Sequence, residues 1–211
     1  WVRAEATSRT ASEETLARLS GLVSGASRGI VVCGPWPEPG RLGPAALALA
    51  RSVGWPLLAD PLSGARFRDG AGEWALGGYD IVLRAPGAEE ALAPDLVLRF
   101  GGRPTSGRLL DALEARAGID HVAVADLPQW GDHRGLATEM VRADPAATCS
   151  ALADRLAGTG SAGLPAWTER WRRAERAVRE SVRASVRRAG PGAGEDPPGG
   201  AGDAGDDRDD A

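Results

Sequence analysis

Three arginines bracket one tight turn in this chain. Arg99 lies late in an apolar run, Arg103 sits inside Gly101-Gly102-Arg103-Pro104, and Arg108 follows a few residues on. The run from Asp95 to Phe100 has Val and Leu on both faces, as a strand buried in a parallel sheet does. Gly101 and Gly102 let the backbone reverse sharply and Pro104 closes the turn. Thr105 or Ser106 then caps a helix with apolar positions at Leu109, Leu110, Leu113 and Ala117, and Gly118 stops it. A cation beside a helix N-terminus opposes the macrodipole, at a cost of about 0.3–1 kcal/mol. Free backbone N–H groups next to guanidinium groups make a carboxylate or phosphate site, which would offset that cost. The candidate anion-binding set is Arg103, Thr105, Ser106 and Arg108, with Arg66 as a second anion position. Taken singly, each arginine reads equally well as a solvated surface residue.

Other chemistry-bearing residues carry less. Asp60, after a short apolar run, stands where an acid can meet a ribose hydroxyl, but in an Asp-Pro turn its expected role is to bond its own backbone. The loop Gly34-Pro-Trp-Pro-Glu-Pro-Gly40 follows the first apolar run, where a dinucleotide fold places its Gly-rich fingerprint. Pro35, Pro37 and Pro39 remove N–H donors from that loop, which argues against nucleotide binding there. Cys33 falls in an apolar strand and Cys149 in a helix, so the pair makes no disulfide framework. His121 and His133 have no metal-ligand spacing with them, so no zinc site is expected.

These residues must be held by about one α/β domain, which 211 residues suffice to build. All 25 basic residues are Arg, and the net charge of −4 is unevenly spread. Thr168 to Arg188 carries eight Arg and three Glu, whereas Glu195 to Ala211 carries seven acids and one Arg. No secretory h-region or long apolar span occurs, and a reducing cytoplasm is the default compartment.

In chain order, Thr10 and Glu13 match a capping box for a helix with Leu16, Leu19, Leu22 and Val23 on one face. Ile30–Cys33 reads as a strand. Leu42 to Val53 reads as a helix, and Trp55–Ala59 as a second strand. Residues 67–78 read as a Gly-rich loop and Tyr79–Leu83 as a short helix. Strands at His121–Ala125 and Thr138–Arg142 follow, and Asp144 caps a helix through Leu152 and Leu156. Strands alternating with helices, apolar on both faces, predict a doubly wound parallel sheet, Rossmann-like, over residues 10–160. Ligands in such sheets sit beyond the carboxyl ends of the strands, where the 60–66, 101–106 and 126–135 loops fall.

Trp167, Trp171, Ala174, Val178, Val182 and Val186 recur at helical spacing with arginines between them. They predict a basic amphipathic helix over 164–189, on the order of 30 Å long, docked by its two tryptophans. Acids interrupt its basic face, which argues against nucleic acid as a partner. Residues 190–211 show no apolar period and are expected to be a disordered acidic tail.

Several stretches together resemble the central domain of a thiamine-diphosphate enzyme family, the 2-succinyl-5-enolpyruvyl-6-hydroxy-3-cyclohexene-1-carboxylate synthases of menaquinone biosynthesis. They are Gly29-Ile-Val-Val-Cys-Gly34, Trp55-Pro-Leu-Leu-Ala-Asp-Pro-Leu-Ser-Gly-Ala-Arg66, Tyr79-Asp-Ile-Val-Leu-Arg84 and Trp130-Gly-Asp-His-Arg134. The most specific is Pro94-Asp-Leu-Val-Leu-Arg-Phe-Gly-Gly-Arg-Pro-Thr-Ser-Gly-Arg-Leu-Leu110, and the likeness runs from about Thr10 to Arg188. The resemblance implies a cytoplasmic three-domain enzyme, a homo-oligomer when complete. Its outer pyrimidine and diphosphate domains hold thiamine diphosphate and magnesium, and the middle domain braces them. It implies decarboxylation of 2-oxoglutarate and addition of the succinyl unit to isochorismate, both carboxylates. In the family's Thr-Ser-Lys-Arg-Leu pattern a basic pair reaches the substrate; Arg108 matches its Arg, while Gly107 stands at the Lys position.

The family's Gly-Asp-Gly…Asn magnesium motif and its glutamate-bearing domain do not occur in these 211 residues. The segment by itself is therefore expected to bind no cofactor and to be inactive, as a piece of the enzyme or a truncated product. It is not expected to enter a membrane. Two other readings stay open: a stand-alone Rossmann-like module binding a carboxylate metabolite, and the central domain of another thiamine-diphosphate decarboxylase, which can hold an adenine nucleotide.

Overall fold

The computed structural model describes residues 9–67, 70–116, 118–126, 131–158 and 165–189. The expected tail at 190–211, Ala117, and Trp130 of the Trp-Gly-Asp-His-Arg stretch lie outside them.

The elements are α1 (Glu13–Gly25), β1 (Gly29–Cys33), α2 (Pro39–Val53), β2 (Leu57–Ala59), β3 (Ala75–Leu76), α3 (Tyr79–Val82), α4 (Ala88–Ala91), β4 (Leu96–Phe100), α5 (Gly107–Glu114), β5 (Asp120–Val124), β6 (Glu139–Val141), α6 (Pro145–Arg155) and α7 (Ala166–Ala189). Six parallel strands lie in the order β3-β2-β1-β4-β5-β6. The order reverses between β1 and β4, as in a doubly wound nucleotide fold. β1 and β4 are buried at every position, which is why their sequences are apolar on both faces.

Period-two alternation splits the core in two. Val31, Cys33, Leu98 and Phe100 pack against α1, α2 and α6, whereas Ile30, Val32, Leu58 and Val97 face α3, α4, α5 and α7. Three expectations need correction. The N-cap of α1 is Ser12, whose Oγ accepts from Thr15 N at 3.1 Å, so Thr10 and Glu13 form no capping box. Residues 67–78 are not all loop, because Ala75 and Leu76 pair with Leu57 and Leu58 as a two-residue edge strand too short to show a period. α5 ends at Glu114, before Gly118, which takes the left-handed conformation three residues beyond its C-cap Ala115.

α7 docks over the β2–β3 side of the sheet. Trp171 is 1% exposed, it meets Trp167 edge-to-face at 6.2 Å, and Trp167 Nε1 donates to Gly29 O at 2.9 Å. A turn further on, the buried Glu175 carboxylate accepts from Gly77 N at 3.1 Å and Gly78 N at 2.9 Å, ahead of α3. Hydrogen bonds to a charged group contribute about 1.5–3 kcal/mol, so Glu175→Ala is expected to lower stability by about 2–3 kcal/mol in urea denaturation. The exposed Glu180 is the comparison, and its Ala variant is expected within about 0.5 kcal/mol of the parent. Equal losses from the two would mean that the tryptophans alone hold the helix.

Candidate functional site

The carboxyl edge of the sheet is closed at its switch point. Gly34, just after β1, and Gly102, just after β4, lie so near that a Cβ on Gly34 would stand 2.0 Å from Gly102 O. Gly34 N donates to Phe100 O at 2.9 Å and Gly102 N to Pro35 O at 2.7 Å. The crevice in which such sheets hold pyrophosphate is thus filled by backbone, a second reason beside the prolines against a nucleotide here.

The β4–α5 loop uses its N–H groups inside the fold. Gly101 N bonds Val124 O at 3.0 Å. Thr105 N and Oγ1 both donate to Asp60 Oδ2, at 2.7 and 2.8 Å. Asp60 is fully buried, and its Oδ1 accepts from Leu62 N at 3.0 Å. The expected Asp60 turn is present, and the same carboxylate also staples that turn to the β4–α5 loop. Ser106 is the N-cap of α5, accepting from Leu109 N at 3.1 Å, while its hydroxyl donates to Asp80 Oδ1 at 2.6 Å. That bond, more than Arg84, holds the Asp80 carboxyl below its usual range. The free backbone N–H groups expected beside the arginines are therefore not offered by Gly101, Gly102 or Thr105, each of which bonds within the fold.

The guanidinium groups diverge. Arg108 reaches from α5 to the end of α3 and to α4, with Nη2 3.1 Å from Leu83 O and 2.5 Å from Glu89 Oε1. Arg66 lays Nε and Nη2 on Ala59 O at 3.2 and 3.0 Å. Arg103 is exposed, and it has no hydrogen-bond or ion-pair partner among the described residues. The structure thus brings Thr105 to Asp60 and Ser106 to Asp80, but it does not gather Arg66, Arg103 and Arg108 into one cage.

Beneath Arg103 lies a buried polar cluster that the sequence reading did not assemble. Arg99 and His121 are each 2% exposed, on neighbouring strands whose register pairs Val97 with His121 and Arg99 with Ala123. Asp132 Oδ1 stands 3.8 Å from Arg99 Nη2, and Asp132 Oδ2 accepts from Ala137 N at 2.7 Å. Arg99 Nε and Nη1 and His121 Nε2 are buried without a hydrogen-bond partner among the described residues. Burial pushes the Arg99 guanidinium below its ordinary value, and Asp132 opposes that. Burial, then the Arg99 charge, hold His121 down at about 4. An Arg inside an otherwise apolar strand was the available signal, since such a group needs company.

The cysteines take no part. Burial raises the Cys33 thiol to about 12 and lifts Cys149 as well, so neither supplies a thiolate. Among the described residues, no three His, Cys, Asp or Glu side chains are grouped to hold a metal ion. No helix among them is long and apolar enough to cross a membrane.

The family model described as "Middle domain of thiamine pyrophosphate" matches residues 1–188. The chain belongs to this family. This middle domain is 37% identical over 151 residues to the 2-succinyl-5-enolpyruvyl-6-hydroxy-3-cyclohexene-1-carboxylate synthase of Chloroflexus aurantiacus, covering 72% of the chain and 26% of that protein. It is 42% identical over 161 residues to the synthase of that name from Halobacterium salinarum, covering 74% and 26%. For the Halorubrum lacusprofundi synthase the identity is 36% over 177 residues, covering 79% and 28%. The middle domain therefore spans 26–28% of the length of these curated relatives. A solved chain assigned as a thiamin diphosphate-dependent enzyme from Mycobacterium smegmatis shares its fold, with TM-score 0.52 and 20% identity, over 79% of this chain and 32% of that one.

Proposed function

We propose that this middle domain serves a complete 2-succinyl-5-enolpyruvyl-6-hydroxy-3-cyclohexene-1-carboxylate synthase. That enzyme decarboxylates 2-oxoglutarate and adds the succinyl unit to isochorismate in cytoplasmic menaquinone biosynthesis. The carrying observation is the identity with synthases of that name over about three quarters of the chain. Thiamine diphosphate and magnesium supply the carbanion chemistry, held by the outer pyrimidine and diphosphate domains of a homo-oligomer. The described residues of this chain offer no cluster for the metal, so no step is assigned to them through it.

This chain's contribution is positioning. Arg103, exposed and unpaired among the described residues, meets a substrate carboxylate at the carboxyl edge. Arg108, in the first turn of α5, gives a second cation whose present partner is Glu89, a half-exposed pair that a substrate carboxylate can replace. Thr105 and Ser106 fix the loop through Asp60 and Asp80. Arg66 remains a second anion position at the end of β2.

Steady-state kinetics of the full-length synthase test this reading. A charge-assisted pair contributes about 1.5–3 kcal/mol, so Arg103→Ala and Arg108→Ala are each expected to lower kcat/KM by roughly ten- to a hundredfold. Arg28, exposed at the opposite edge beside β1, is the control. Arg116 is unsuitable for that purpose, since it reaches the Glu89 carbonyl at 3.4 Å. If all three variants behave alike, the arginines are ordinary surface residues. If the unmodified protein does not consume 2-oxoglutarate with isochorismate, the assigned reaction fails.

A further inference from the structure

The apolar stripe of α7 outruns the body it docks on. Trp167 and Trp171 are buried and Val178 is half-buried, but Val182 and Val186, the next positions on that face, are 46% and 67% exposed. About eleven residues follow Val178, roughly 16 Å of helix by the axial rise. Beside this stripe stand Ile81 of α3, 49% exposed, and Phe67, 88% exposed. Phe67, Ile81, Val178 and Val182 line one groove of about 430 Å³, and Ile81 and Val178 also line a second of about 620 Å³ against α4. Phe67, Ile81, Val178 and Val182 thus form one continuous strip, which Val186 prolongs along α7, whereas the exposed Leu62 lies outside both grooves. Isolated exposed valines are ordinary, whereas an aligned strip over two joined grooves marks a contact surface.

We propose that this strip is the seat of another domain of the complete synthase polypeptide, through an apolar patch rimmed by acidic residues. The proposal rests on the middle-domain membership and not on the assigned reaction. Two observations select that occupant. The curated relatives carry nearly three quarters of their length outside the part matched by this chain, so a large covalently attached partner is available to cover the strip. The strip also carries unspent positive charge. Arg183 and Arg187 flank Val182 and Val186, are exposed, and have no ion-pair partner among the described residues. On the docked half of α7, by contrast, Arg172, Arg176 and Arg179 are paired with Glu, Arg170 bonds Ala91 O, and Arg173 alone has no partner of either kind among the described residues. An acidic rim opposite Arg183 and Arg187 would complete the pattern already present on that half. Complementary charge of this kind fixes the register of an interface.

Photocrosslinking in the full-length protein tests this. p-Benzoylphenylalanine is placed singly at positions 182 and 186, and at the exposed position 28 as control, and the products are mapped by mass spectrometry. The substituted positions are exposed, so the domain keeps its core. The expected result is a crosslink yield at 182 and 186 several-fold above that at 28, to peptides outside residues 1–211. Crosslinks within residues 1–211 of a second copy would overturn the proposal in favour of self-association. Yields no higher than at position 28 would overturn it by showing a free surface. Because no substrate is used, the outcome is independent of which reaction the synthase performs.

Discussion

Asp60→Ala is expected to lower the unfolding free energy by about 3–5 kcal/mol. Asp60 is fully buried and accepts from Leu62 N, Thr105 N and Thr105 Oγ1. Truncation removes the charged acceptor of all three donors, each bond to it contributing about 1.5–3 kcal/mol, and water replaces only part of the loss at the exposed Leu62 and Thr105. Asp60→Asn is expected to fall only partly short of Ala, because one amide oxygen cannot serve Leu62 and Thr105 together. The exposed Asp120 at the start of β5 is the comparison, within about 0.5 kcal/mol of the parent. Urea denaturation decides it: a loss under about 1 kcal/mol for Asp60→Ala would show that the staple is dispensable. In the full-length synthase the same variant should weaken substrate use beyond its effect on stability, since Asp60 fixes the Thr105 end of the loop that carries Arg103.

The stability of this domain is expected to fall by about 3 kcal/mol as the pH drops from 6.5 to 4 because of His121 alone. Burial and Arg99 hold the folded imidazole at about 4, against 6.5 for the ordinary group, with Asp132 and a backbone hydrogen bond to Leu136 opposing them. Between these values the unfolded chain binds a proton that the folded chain refuses, so stability rises with pH through that window. Below about 4 both states are protonated and the His121 contribution stops changing. His121→Phe keeps the ring and removes the titration, so its stability should lose this part of the slope between pH 4.5 and 6.5. Parallel profiles for parent and variant would mean that the imidazole beside Arg99 is not held neutral.

What was legible in the sequence lies within a few residues along the chain. The apolar runs at Ile30–Cys33 and Asp95–Phe100, the Ser106 and Asp144 caps and the turn at Gly101-Gly102 are local consequences of periodicity, capping and backbone sterics. From them the doubly wound sheet follows, and the Gly-Gly-Arg-Pro-Thr-Ser stretch was enough to suggest the family that the chain belongs to. The capping box at Thr10 failed because Ser12 competes for the same role two residues later. β3 was hidden because two residues carry no alternation and draw their pairing from β2.

Only the tertiary structure decided where the polar side chains go, because their partners are remote in sequence. Asp60 meets Thr105 across 45 residues and Glu175 meets Gly78 across 97. Arg108 spends its charge on Glu89, 19 residues back, instead of on the turn beside it. The parallel register of β4 and β5 buries Arg99 and His121 on one face and so sets the imidazole at about 4. Residue type states what each group can bond; the strand order and register determine which partners arrive, and burial multiplies the consequence because a lost partner there is not replaced by water.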